Sequence, residues 1–112
     1  MSDERRSAPR KPAAMPIDVI DSISGEPIGR IGNLSRTGMM LICRRPLNDG
    51  ALYQLRFQLP GPGGGAEIET GVHTMWTEDA ATNGYQWSGL RIISISNSAA
   101  QVLDQWLEQD AA

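Results

Sequence analysis

Two short stretches carry side chains able to hold a charged, planar ligand. Arg5-Arg6-Ser7-Ala8-Pro9-Arg10 places three arginines within six residues. A guanidinium is a permanently charged flat fork that pairs with phosphate through two parallel hydrogen bonds and stacks on flat rings. Arg6 and Arg10 lie four apart on a proline-containing segment, so they can flank a ligand from one side. The second stretch is Asn33-Leu34-Ser35-Arg36-Thr37-Gly38. Its amide carbonyl can accept from N–H donors, and its hydroxyl can meet a phosphate or a base. Gly38 leaves room for a turn and permits positive φ. Arg44 and Arg45 either reach toward the same ligand or mark a solvated strand end.

Catalytic chemistry is hard to assemble from the rest. His73 is the single histidine, and it alternates with the buried face of its strand, so it points to solvent. Cys43, the single cysteine, lies in an apolar strand as a buried thiol, and one cysteine excludes an internal disulfide and a cysteine-rich zinc site. Glu78-Asp79 reads as a solvated turn, since adjacent carboxylates seldom point at one substrate. Gly61-Pro62-Gly63-Gly64-Gly65 lacks the Lys-Ser/Thr of a phosphate loop and precedes a strand, so it is a hairpin loop. No enzyme, cofactor or metal is expected.

The 112 residues suffice for one domain, with 40% hydrophobic and 21% charged residues. At this size the three Trp, two Tyr and one Phe are expected to supply much of the core. The net charge of -3 divides unevenly. Residues 1–14 hold four bases against two acids, or +2, and residues 15–112 hold six arginines against eleven acids, or -5. An acidic body with a basic arm is unlike a general nucleic-acid binder and suits a small anionic ligand. No apolar run approaches the ~20 residues of a membrane span. The residues after Arg5-Arg6 are polar and broken by proline, so no targeting signal is read there. A cytoplasmic protein is expected.

Residues 1–14 show no apolar period and read as a mobile arm, with a structured domain over 15–110. Strands are expected over 15–23, 28–34 and 39–44. Tyr53, Leu55, Phe57 and Leu59 then share one face, as do Ile68, Thr70, Val72, Thr74 and Trp76, which is the period of half-buried antiparallel strands. A last strand spans about 85–95. Ser98-Ala99-Ala100-Gln101 has the form of a capping box, and Val102, Leu103, Trp106 and Leu107 form one apolar stripe on a helix over about 98–109. The pattern predicts a mainly β protein: a small six-stranded antiparallel barrel with one C-terminal amphipathic helix.

Taken in order, the two motifs resemble the PilZ domain, a bacterial receptor for the second messenger cyclic di-GMP. That family is marked by Arg-x-x-x-Arg near the domain start and Asp/Asn-x-Ser-x-x-Gly about twenty residues later. Here the residues are Arg6 and Arg10, then Asn33, Ser35 and Gly38, with 22 residues between Arg10 and Asn33. The family's six-stranded barrel and C-terminal helix match the pattern above, and Gly89-Leu90 opens the expected last-strand motif.

The resemblance implies a ligand site made of Arg5, Arg6, Arg10, Asn33, Ser35 and Gly38, with cyclic di-GMP as ligand. A guanidinium fork fits guanine O6 and N7, and Asn33 fits guanine N1–H and N2–H. Trp76 stands where the family often places a bulky residue near the nucleotide; packing in the core or at its rim is the other reading. An arginine before the first motif accompanies an intercalated ligand dimer in the family, so Arg5 implies two molecules per chain. The resemblance further implies an adaptor whose arm orders on binding and which signals through a protein partner in motility, exopolysaccharide or biofilm control. Neither nucleic-acid binding nor membrane insertion is expected. The alternative is a PilZ-like protein–protein interaction module without nucleotide binding.

Overall fold

A computed structural model describes residues 11, 12, 16–44, 47–81 and 84–109. The strands are β1 Lys11–Pro12, β2 Asp18–Asp21, β3 Pro27–Leu34, β4 Gly38–Cys43, β5 Leu52–Leu59, β6 Ala66–Asp79 and β7 Gln86–Ile95, followed by helix α1 Asn97–Glu108. All pairings are antiparallel. Six strands close a barrel in the order β3, β2, β5, β6, β7, β4 and back to β3. The short β1 adds Lys11 opposite Leu34 and Pro12 opposite Asn33, on the edge of β3 beyond β2. It belongs to the stretch read from sequence as arm, and two residues are too few to show a strand period.

Alternation fills the barrel. Val19, Ile31, Leu41, Leu55, Ile68 and Val72 all point inward and are buried. Leu41 sits between Ile31 on β3 and Ser88 on β7, and truncating such a residue to alanine costs about 2–5 kcal/mol. Of the aromatic residues, only Phe57 and Trp106 are buried. The core is therefore mostly aliphatic, contrary to the composition-based expectation: β-branched and leucine side chains fit a narrow six-stranded interior, the Trp76 and Trp87 indoles lie outside it, and Trp106 reaches the core from the helix.

The helix contributes Ala100, Leu103 and Trp106 to the core, one residue per turn. Its N-cap is Ser96, whose Oγ accepts from the Ala99 N–H at 3.1 Å. The Ser98–Gln101 pattern thus falls inside the helix and does not cap it. Glu78 and Asp79 pair with Trp87 and Gln86 in the ladder, so they end a strand and do not form a turn.

Candidate functional site

Asn33 reaches the outer surface of the barrel through a bulge. Ile31 pairs with Leu41 and Asn33 with Met40, so Gly32 is an extra residue on β3. Ile31 is buried, and strict alternation would turn Asn33 inward as well. The bulge reverses it, and Leu34 takes the inward place. Asn33 Nδ2 donates to Met40 Sδ at 3.8 Å on the outer face.

Trp76 is turned outward in the same way. Thr74 pairs with Leu90 and Trp76 with Gly89, leaving Met75 as the extra residue on β6. Thr74 is buried and Trp76 is 39% exposed. The expected shared face ends at Thr74, and β6 continues past Trp76 to Asp79. Its indole lies against Gly89: a Cβ there would stand 2.3 Å from Cε2 and Nε1. Any side chain at 89 would displace the ring.

These pairings form one row across the outer face. Pro12 is opposite Asn33, Asn33 opposite Met40, Met40 opposite Gly89 and Gly89 opposite Trp76. Asn33 and Trp76 are thus three strand spacings apart, about 14 Å along the sheet. The Met40 thioether lies between them and the Trp76 indole rests on Gly89, an apolar platform with an amide at one end.

The turn after Asn33 is tied by Ser35, which is 2% exposed. Its Oγ accepts from the N–H groups of Thr37 at 3.2 Å and Gly38 at 3.1 Å and lies 3.2 Å from the Gly38 carbonyl, to which it donates. Ser35 N–H donates to the same carbonyl at 2.8 Å. The hydroxyl expected to meet a ligand is here committed to the turn. Gly38 does not take positive φ, contrary to expectation. Its glycine is required by close approach, since a Cβ would come within 2.6 Å of the Leu90 carbonyl oxygen.

Arg36 is half-buried, and its Nε pairs with Asp104 Oδ1 of α1 at 2.9 Å. Arg44 lies at the far end of β4, over the Tyr85 ring at 5.5 Å, and lines a groove of about 810 Å³ with Glu26, Arg30, Ile42 and Leu47. It stands four residues from Met40 and does not join the row. Arg91 was not singled out from sequence. It is exposed, two residues beyond Gly89 on the same face and opposite Gly38, and adds a positive charge beside the row. Alternation from Gly89 was the signal that could have found it. Arg5, Arg6, Arg10 and Arg45 lie outside the described residues.

Burial pushes the Cys43 thiol up to about 11, partly offset by a hydrogen bond with Ser88, which keeps it protonated and inert. His73 is partly exposed, opposite Arg91. Among the described residues, no three His, Cys, Asp or Glu side chains gather as metal ligands. No helix among them is long and apolar enough to cross a membrane.

The barrel is similar to solved structures at low sequence identity. The inhibitor of motility MotI/DgrA of Bacillus subtilis superposes with a TM-score of 0.73 at 20% identity, over 91% of this chain and 48% of that one. YcgR of Escherichia coli in complex with c-di-GMP gives 0.72 at 18% identity, over 92% and 44%. The PilZ domain of YcgR with c-di-GMP gives 0.69 at 15% identity, over 92% and 88%. The chain thus spans about half the length of the first two. No curated protein sequence matches it. The model of the PilZ domain matches residues 4–109, both motifs included, and the chain therefore belongs to the PilZ family, whose domains are cyclic di-GMP receptors and not enzymes.

Proposed function

We propose that this chain is a cyclic di-GMP receptor that acts as an adaptor, with the nucleotide on the outer face between Asn33 and Trp76. The observation that carries this reading is the pairing of Lys11 and Pro12 with Leu34 and Asn33. Arg10 is one peptide link from Lys11, about 3.8 Å between Cα atoms. The Arg-x-x-x-Arg segment therefore leads directly into the turn that holds the second motif. Arginine forks from one side and the Asn33 amide from the other can then enclose a guanine and its phosphates. YcgR, which shares the fold, is described in complex with c-di-GMP.

In this reading Arg6 and Arg10 bind the ligand and Asn33 reads a guanine edge. Ser35 and Gly38 set the turn, Trp76 supplies a stacking surface, and Arg91 adds charge. Residues 1–14 act as an arm that is anchored on β3 by Lys11–Pro12 and orders the rest of its length against the 15–110 barrel when ligand binds, which changes the surface offered to a partner protein. Arg5 adds the charge needed for an intercalated ligand pair, giving two molecules per chain. A cytoplasmic setting and an output in motility, exopolysaccharide or biofilm control fit the family. The -5 balance of residues 15–112 argues against nucleic acid as ligand.

Calorimetric titration with cyclic di-GMP, GMP and a short oligonucleotide tests the reading. Cyclic di-GMP alone should bind, at two per chain, falling toward one in Arg5→Leu. Arg6→Ala and Arg10→Ala should each weaken binding by about 10–150-fold, the loss of a charge-assisted bidentate contact. No heat with cyclic di-GMP would leave the interaction-module reading in its place.

A further inference from the structure

Asn33 faces outward only because Gly32 is an extra residue, and a bulge is held by what packs on it. At Gly32 that is Trp87. A Cβ on Gly32 would stand 2.8 Å from Trp87 Cζ3 and 3.3 Å from Cη2. Trp87 is on β7 opposite Ile42 of β4, so its indole reaches diagonally across β4 to touch β3. Ser88 beside it is fully buried, which turns Trp87 to the outside of the barrel, where it has no core to fill. A half-buried indole outside a barrel, seated on the glycine of a bulge, needs a reason other than core packing.

We propose that Trp87, seated on Gly32, is the positioning residue that aims Asn33 and so sets base discrimination. The proposal rests on the receptor reading above. The flat ring fixes the unpaired residue of the bulge, and only glycine lets it approach so closely. With the ring gone, β3 can recover regular pairing by slipping one residue, which would turn Asn33 toward the core. Trp87 thereby acts on the nucleotide through Asn33 and not by touching it.

The test compares cyclic di-GMP with cyclic di-IMP, whose bases lack the exocyclic N2 amine that Asn33 can read. Dissociation constants are measured for the parent, Trp87→Ala, Trp87→Phe, Asn33→Leu and the double variant Trp87→Ala/Asn33→Leu. The parent should prefer cyclic di-GMP. Trp87→Ala should weaken cyclic di-GMP by about tenfold and shrink that preference, while Trp87→Phe keeps most of both. In the Asn33→Leu background, Trp87→Ala should change either constant by less than about twofold. An unchanged preference in Trp87→Ala, or an equal cost in both backgrounds, would overturn the positioning role. Should Trp87→Ala lose its fold in circular dichroism, Gly32→Ala, which pushes the ring off the bulge, carries the same comparisons. A parent that binds neither dinucleotide refutes the receptor reading itself, and the role of Trp87 with it.

Discussion

Asn33 and Trp76 stand in one cross-strand row, and each comes directly after the extra residue of a bulge that turns it away from the core. Without the bulges both would follow a buried neighbour, Ile31 or Thr74, into the barrel. Two independent irregularities therefore bring an amide and an indole onto the same outer surface, with Met40 and Gly89 between them.

Trp76→Ala should leave the fold intact and weaken cyclic di-GMP binding. The indole is outside the core, so the melting temperature should move by only a few degrees. Base–aromatic stacking is worth about 1–3 kcal/mol, so affinity should fall roughly 5- to 150-fold. Trp76→Phe should recover most of it. Calorimetry together with thermal melts checks both, and unchanged affinity would remove Trp76 from the site.

The placement of these two residues was hard to read from the sequence for a physical reason. Alternation along β6 grouped Trp76 with Thr70, Val72 and Thr74, because an extra residue in a strand shows only against its partner strand. The inward sets Leu55, Phe57 and Leu59, or Ile68 and Val72, were legible because nothing interrupts them. The motif turn was legible from its residue types, whereas the contacts inside it were not. Ser35 reads as a ligand donor from its residue type alone, and its bonds to Thr37 and Gly38 within the turn show only in the geometry. The pairing of β1 leaves no trace in a two-residue Lys-Pro segment. Ser96 and Ser98 are the same residue type two positions apart, so which of them caps the helix shows only in the bond from Ala99 N–H to Ser96 Oγ.

Ser35→Ala should cost stability and affinity together. It removes the acceptor for two N–H groups in a buried turn, about 1–2 kcal/mol. For a domain of this size that lowers the melting temperature by roughly 4–8 °C per kcal/mol. Urea melts and titrations of the same sample should show both losses. A variant that loses affinity with no loss of stability would make Ser35 a ligand contact instead.

Arg36→Ala should do little. Its pair with Asp104 is 39% and 50% exposed, and such pairs contribute about 0–1 kcal/mol, less at high salt. Affinity should stay within about twofold of the parent. A tenfold loss would place Arg36 on the ligand rather than on the helix.

Cys43 gives a pH signature. Its folded pKa is raised from 9.0 to about 11 by burial, so folding favours the protonated thiol. The unfolded chain releases that proton first, so this contribution is fully present below pH 9 and is lost as pH rises toward 11. The rise from 9.0 to about 11 corresponds to roughly 2–3 kcal/mol. Urea melts from pH 8 to 11 should show a steeper decline in the parent than in Cys43→Ala. Equal slopes would mean that the thiol does not titrate with unfolding.

The most direct measurement is a map of amide and indole N–H resonances as cyclic di-GMP is added. The expected result is a set of shifts at Asn33, Ser35 to Gly38, Met40, Gly89 and the Trp76 indole, with the Arg6 to Lys11 signals changing at the same ligand concentration. Shifts confined to the groove of Arg44 and Tyr85 or to helix α1, or none at saturating ligand, would contradict a nucleotide site on the outer face between Asn33 and Trp76.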